Sequence, residues 1–348
     1  MALLTKSELQ QDTRSQMAHP VPALVLTGLF FFCFAAIISP DRLSMIGLMD
    51  HSLASDIPLV RQTALWEIDM ARKGAVGIGS ILLICALFWP RLVASNQYQR
   101  FTTWRLSTTI AYERQLDTVW NLSLYIMLIC FALSWVYLSF GEEWFSAQIL
   151  GWINREDGLL ETLSAVLLML ASILSLVTAI RVKGMPARSR MHLFLALLFF
   201  AMCGEEISWG QRYIGFETPD SLKTVNVQSE VNLHNMFGYV FDHLFILCFF
   251  LWGCVTPLLY RRTLMFRQFF RAIGLPIPSL GLAISMLLIT LTREQIVYLF
   301  VDGIDSLRLP ELREFLSCVA FLLLMRESYL GLVVLPKRLP ENDLSARS

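Results

Sequence analysis

Eight apolar runs divide this 348-residue chain, at residues 22–39, 74–90, 119–140, 159–180, 191–204, 236–259, 272–292 and 314–335. A helix needs about 20 apolar residues to cross the hydrocarbon core of a bilayer, and most of these runs approach that length. Unsatisfied backbone groups are costly in lipid, so a chain of this kind closes its hydrogen bonds inside each segment, as helices. Composition agrees: 55% of residues are hydrophobic and 16% charged, against about 25% charged in an average soluble domain. The expected fold is therefore all-α, a polytopic transmembrane helix bundle of about eight spans. Residues 1–21 are expected to form an N-terminal segment. Residues 22–335 would form a single transmembrane domain carrying a motif-bearing external loop at 204–236, and residues 336–348 a polar tail.

Orientation follows from the placement of Lys and Arg, which concentrate on the cytoplasmic side of membrane proteins. With the N-terminus inside, the internal segments hold 17 Lys and Arg residues and the external ones 10, with Arg326 left inside a span. Asp and Glu run the other way, 18 outside and six inside, with Glu161, Asp242, Glu314 and Glu327 within runs. Both termini are expected in the cytoplasm. Lys6 and Arg14 precede the first run as they would in a signal peptide. No small-x-small cleavage pattern follows it before Ser39-Pro40-Asp41-Arg42, so that run is expected to stay as an anchor. Residues 40–73 mix Asp41, Asp50, His51, Asp56, Glu67 and Asp69 with apolar residues, a pattern that suits a short amphipathic helix lying on the membrane.

The seven cysteines (33, 85, 130, 203, 248, 254 and 318) all lie within or at the ends of apolar runs, and there is no CxxC, so no disulfide framework is implied. Net charge is zero and no basic stripe with interleaved aromatics appears, which argues against a nucleic-acid partner. The basic internal loops read as topology determinants that also meet anionic lipid headgroups. Membrane lipids are the partners expected; the sequence names no protein partner.

Chemistry concentrates in residues 204–243. Glu205, Glu206, Ser208, Trp209, Gln211 and Arg212 follow the fifth run; a loop leads to Asn232, His234 and Asn235, and Asp242 stands inside the sixth run. Ionisable groups at a membrane boundary are expensive, so a dense set of them is a site hypothesis by default. If the fifth helix continues to about Gly215, then Glu205, Ser208, Trp209 and Arg212 form one stripe and Glu206 is rotated towards another neighbour. Adjacent carboxylates in a low dielectric resist double ionisation, so one of them could act as an acid. The structural alternative is a Glu205–Arg212 ion pair with Trp209 as an interface anchor. His234 begins the sixth span, with Asn232 placed to cap it. A histidine near carboxylates supplies a general acid/base or, with Glu205 and Glu206, a hard site for a divalent metal; the sequence does not identify a cofactor. Asp157 and Glu161 are four apart and share a helix face near the same surface. Capping alone explains Asp157, whereas Glu161 lies a turn deeper. Arg326 and Glu327 lie inside the last span, and Arg326 paired with Asp242 or Glu327 would account for these buried charges. His192 and His243 read as packing residues.

The string GEEISWGQR, with the later Asn-Val-Gln-x-Glu-x-Asn-Leu-His-Asn at 226–235, resembles a motif of uncharacterised bacterial multi-pass membrane proteins. The likeness covers roughly 155–245 and implies a bacterial inner-membrane location; no activity comes with it. From the residues, three functions are open. One is an enzyme, a hydrolase or transferase acting on a lipid or lipid-linked substrate. There Glu205, Glu206 and His234 would be catalytic, while Ser208, Trp209, Gln211, Arg212, Asn232, Asn235, Asp157, Glu161 and Asp242 would bind substrate. A second is a transporter or channel using Asp242, Arg326 and Glu327. A third is a non-catalytic assembly or sensor subunit whose external acids dock a partner.

Overall fold

The apolar runs are helical over most of their described length in a computed structural model of the protein, which describes residues 20–45, 53, 58–96, 110–154, 158–215, 217–219, 240–262, 264–292, 297 and 309–334. About 90% of the described chain is helix and none of it is strand. Among the described residues, six helical stretches are long and apolar enough to cross a membrane: Ala64–Leu92, Leu122–Trp144, Ala147–Arg181, Pro186–Glu206, Leu244–Arg261 and Leu309–Val334. The first and seventh of the eight expected runs are helical but shorter, with apolar helices at Leu24–Ile37 and Leu280–Leu291. In the seventh run the cause is local: Gly274, Pro276 and Pro278 hold residues 275–279 out of the helix, and winding starts only after Ser279.

The chain divides into two compact units, Met1–Trp104 with Thr263–Met265, and Arg105–Arg262 with Phe266–Ser348. In the first, α1 (Pro20–Ile37), α2 (Pro40–Met45) and α3 (Pro58–Ala94) follow one another. Residues 58–73 are not a separate surface helix as expected; they wind continuously into the second apolar run, making α3 37 residues long. Helices α1 and α3 cross where Gly28 meets Gly79. A Cβ on Gly79 would stand 3.0 Å from the Gly28 carbonyl oxygen and 3.0 Å from the Phe32 ring. Small residues at a crossing let helix backbones approach closely where no hydrophobic effect drives them together. Arg72 donates to the Ala35 carbonyl (3.3 Å) and Arg42 to that of Ala36 (2.8 Å), so cations close the C-terminal end of α1.

The second unit holds α4 (Ile110–Trp144), α5 (Ala147–Asn154), α6 (Leu159–Arg181), α7 (Pro186–Glu206), a 3₁₀ turn (Ser208–Gly210) and α8 (Gln211–Ile214). It continues with α9 (Val240–Phe250), a π-helical turn (Leu251–Val255), α10 (Thr256–Arg262), α11 (Leu264–Ile273), α12 (Leu280–Leu291) and α13 (Leu309–Tyr329), which ends in a second π-helical turn at Leu330–Val334. Helix α13 is the most buried of the membrane-length helices; it packs mainly against α6, with α12 and α4 beside it, and meets α7 through side chains. Its Phe321 ring centres an aromatic cluster with Phe199 (5.1 Å), Phe249 (5.3 Å) and Trp252 (5.8 Å). Tyr137 of α4 donates to Asn154 of α5 across 2.8 Å.

Helix α6 is turned inside out by the standards of water. It buries Ser164, Ala165, Ser172, Ser175, Thr178 and Ala179, and exposes Leu163, Val166, Leu170, Ile173, Leu176 and Ile180. Apart from buried Leu160 and Leu168, large side chains lie outside and small ones inside, which makes sense when the solvent is lipid and close helix packing is the gain. The serines use that closeness. Ser172 donates to the Ala196 carbonyl (2.8 Å), Ser175 to that of His192 (2.8 Å) and Ser189 back to that of Ala179 (2.9 Å), lacing α6 to α7.

Candidate functional site

Glycine, glutamate and tryptophan build the end of α7 together. The helix stops at Glu206 and does not continue to Gly215 as the stripe argument expected. Ser208 (φ 46), Trp209 (φ 53) and Gly210 (φ 77) follow in left-handed conformation, and a non-glycine residue there costs on the order of 1–3 kcal/mol. That turn folds Trp209 back over the helix end. Its ring occupies the space beside Gly204, where a Cβ would come within 2.9 Å of it. The indole Nε1–H donates to Glu205 Oε1 at 2.7 Å, so the i,i+4 contact survives although the continuous helix does not. Ser208 is buried by the turn, and Gln211 donates to the buried Thr218 hydroxyl at 2.6 Å.

With Glu205 held by Trp209, its neighbour Glu206 faces the bundle. Glu206 interacts electrostatically with Glu161 at the start of α6 and with Glu311 at the start of α13. Next to it, Cys318 of α13 feels Glu206, Glu314 and Cys203, with the Ser164 hydroxyl within hydrogen-bonding reach of its thiol. Three helices thus bring carboxylates to one end: α6 and α13 start there and α7 ends there. Glu311 and Glu314 were not singled out in the sequence. Their signal was the first turn of the last span, Leu309-Pro310-Glu311-Leu312-Arg313-Glu314, where two acids three apart share a face. Glu142 and Glu143 end α4 as exposed residues.

The opposite half of the same three helices is polar in another way. His192 is fully buried, with Nε2 2.9 Å from the Ser328 hydroxyl and Nδ1 3.2 Å from that of Ser175. The proton of Ser175 goes to the His192 carbonyl, so Nδ1–H donates to Ser175 and Nε2 accepts from Ser328. The neutral ring is thereby satisfied on both sides and pins α6, α7 and α13 together, about 21 Å along α7 from Glu206. Glu327 beside it does not form the expected ion pair with Arg326. Its two oxygens accept from the Ser279 backbone N–H (3.0 Å) and hydroxyl (2.8 Å), while Ser279 also caps α12 by accepting from Leu282 N–H (3.2 Å). Arg326 acts on Glu327 through its field alone, and its Nη1 is buried with no hydrogen-bond partner among the described residues. A carboxylate at a helix N-terminus meets both free N–H groups and the positive end of the dipole, which accounts for Glu327 without a transport route.

Asp157, Asn232, His234 and Asn235 lie outside the described residues, as do the side chains of Arg212, Asp242 and His243. Of the candidate metal set, Glu205 accepts from Trp209, Glu206 feels Glu161 and Glu311, and His234 lies outside the described residues. Among the described residues no three His, Cys, Asp or Glu side chains come close enough to hold a metal ion. Compared with protein-family models, with curated proteins and with solved structures, the chain matches none of them.

Proposed function

We propose that the protein is a multi-pass enzyme of a bacterial inner membrane, a hydrolase or transferase working at the extracytoplasmic face on a lipid or lipid-linked substrate. The short helices at Leu24–Ile37 and Leu280–Leu291 then complete eight spans, and both termini lie in the cytoplasm. The acidic end of the second unit faces outwards, in keeping with the Lys and Arg asymmetry of the sequence. The observation that carries this reading is that Glu206, at the end of α7, feels the charges of Glu161 at the start of α6 and Glu311 at the start of α13. A carboxylate at a membrane boundary can take a proton from a hydroxyl or water, or return one to a leaving group, an effect of about 10²–10⁴-fold in rate. Glu206 is the residue assigned that role, with Glu161 and Glu311 shaping its surroundings and His234 as its partner. Arg212 is assigned to a phosphate or carboxylate of the substrate.

Lipid mass spectrometry on cells with and without the protein tests the assignment. One lipid or lipid-linked species is expected to change with the wild-type chain. Glu206→Gln should lower that turnover by about 10²-fold or more at unchanged protein level. An identical lipid profile in cells with and without the protein would overturn it. So would wild-type turnover in both Glu206→Gln and His234→Ala.

A further inference from the structure

Beyond their crossing at Gly28 and Gly79, α1 and α3 line a cavity of about 510 Å³ in the first unit. The sequence of α3 sets one wall. Asp69, Arg72, Lys73 and Val76 fall at i, i+3, i+4 and i+7, and Gly79 continues the stripe at i+10. The face that meets α1 at the glycine therefore turns polar towards the start of α3. Opposite stand Phe32, Ala35 and Ala36, and the two alanines are too small to fill the gap. Lys73 pairs with Asp69 on the same helix. Arg72 donates through Nε to the Ala35 carbonyl (3.3 Å) and Arg42 through Nη1 to the Ala36 carbonyl (2.8 Å), successive neutral acceptors at the end of α1. We infer that this cavity binds the phosphodiester of an anionic glycerophospholipid, with Arg72 as its principal ligand and Arg42 beside it.

Charge is the first support. Among the described residues neither guanidinium lies within ion-pairing distance of a carboxylate, because Asp69 is taken by Lys73. The C-terminus of α1 sets only about half a negative charge against the two arginines, so an anion is still attracted. Each arginine gives the helix end one N–H, and both Nη groups of Arg72 stay available to grip two phosphate oxygens. Capping of α1 explains these hydrogen bonds, but it needs neither a cavity nor an apolar lining. Size agrees, since small-ligand sites run from about 300 to 1,000 Å³. Position selects a lipid over a free anion. The cavity lies near the end of the apolar stretch Leu24–Ile37 and the start of Ala64–Leu92, the level of headgroups. Phe32 and Val76 extend its lining towards the apolar part of both helices, where glycerol and the first acyl carbons would lie. The inference depends neither on the assignment made for the acidic end of the second unit nor on which side of the membrane this cavity faces.

The full-length protein in neutral detergent, titrated with phosphatidylglycerol or phosphatidylcholine of the same acyl chains and followed by native mass spectrometry, provides the test. Phosphatidylglycerol is expected to bind in preference to phosphatidylcholine. Arg72→Gln should weaken that binding roughly 10- to 100-fold, as loss of a charged hydrogen-bond donor implies. Arg72→Lys should fall between wild type and Arg72→Gln, since lysine keeps the charge and loses the planar fork. Arg61→Gln removes the same charge from α3 outside the cavity and should leave binding within about twofold. Equal binding of the two lipids, unchanged binding in Arg72→Gln, or an equal loss in Arg61→Gln would overturn the inference. Displacement of phosphatidylglycerol by inorganic phosphate at similar concentration would also overturn it, by showing a site for free anions. If Arg72→Gln elutes as aggregate because α1 has lost its cap, Ala36→Leu decides. Ala36 is exposed and lines the cavity, so leucine there takes up space and leaves every charge in place. Binding should weaken several-fold; unchanged binding in Ala36→Leu counts against the cavity as the site.

Discussion

Gly204 and Trp209 are five residues apart in sequence and in contact in space, and their fit decides what the adjacent glutamates do. Because the indole lies where a side chain at 204 would stand, Glu205 receives the Nε1–H and Glu206 is left to face the bundle. Gly204→Ala pushes a methyl group into the ring, and overpacking of this kind costs about 1–3 kcal/mol. A lower unfolding midpoint in detergent, with altered tryptophan fluorescence, is the expected result; an unshifted midpoint and spectrum would show that the ring does not seat on Gly204. Glu327 makes the same kind of case on α13. Its carboxylate holds the N-terminus of α12 through Ser279, and hydrogen bonds to charged groups contribute about 1.5–3 kcal/mol each. Glu327→Ala is therefore expected to destabilise the protein by several kcal/mol while leaving turnover by the folded fraction unchanged. Normal stability with abolished transport of a solute would instead make it a pathway residue.

At the scale of elements, the small face of α6 explains why α6, α7 and α13 pack as they do. Serine hydroxyls reach carbonyls of the neighbouring helix only when the backbones nearly touch, and Ser172, Ser175 and Ser189 all do so. Each such bond is modest in a membrane, about 0.6 kcal/mol on average, so Ser172→Ala should be mild. Ser172→Leu differs, because buried Ser172 has no room for the larger side chain. It should separate α6 from α7, seen as loss of a Cys-pair crosslink engineered across the two helices. A retained crosslink would mean that the serine face is not the contact. In sequence, this helix showed only an apolar run with an acid near its start; which face turned inwards could not be read, since small residues signal an interior only once the solvent is known to be lipid. The break after Glu206 was equally hidden. Nothing in Ile-Ser-Trp-Gly forbids a further helical turn, and it is the seat beside Gly204 that makes the left-handed turn worth its strain.

For the molecule as a whole, the second unit has two chemically distinct ends. Carboxylates gather where α6 and α13 begin, and arginines where α7 begins and α10 and α11 meet. A chain inserted by the usual charge bias would keep the basic end in the cytoplasm. Cysteine-accessibility labelling in intact cells checks this: a cysteine at Glu217 should react with a membrane-impermeant maleimide, and one at Gly184 should react only after the cells are opened. The reverse pattern would place the carboxylates in the cytoplasm and end the proposed function.

Helical class and the approximate position of the apolar segments were legible in the sequence, because both depend on local hydropathy. The sequence also pointed to Glu161, Glu205 and Glu206. Packing in three dimensions parts the two adjacent glutamates and brings Glu311 and Glu314 to the same end of the core. The structure also shows Glu327 bound to Ser279, the cap of α12, and His192 to be the pin of a buried serine network. Each of those outcomes depends on which residues of distant helices come within a few ångströms of one another, and that distance is set by packing, which hydropathy along the chain does not encode.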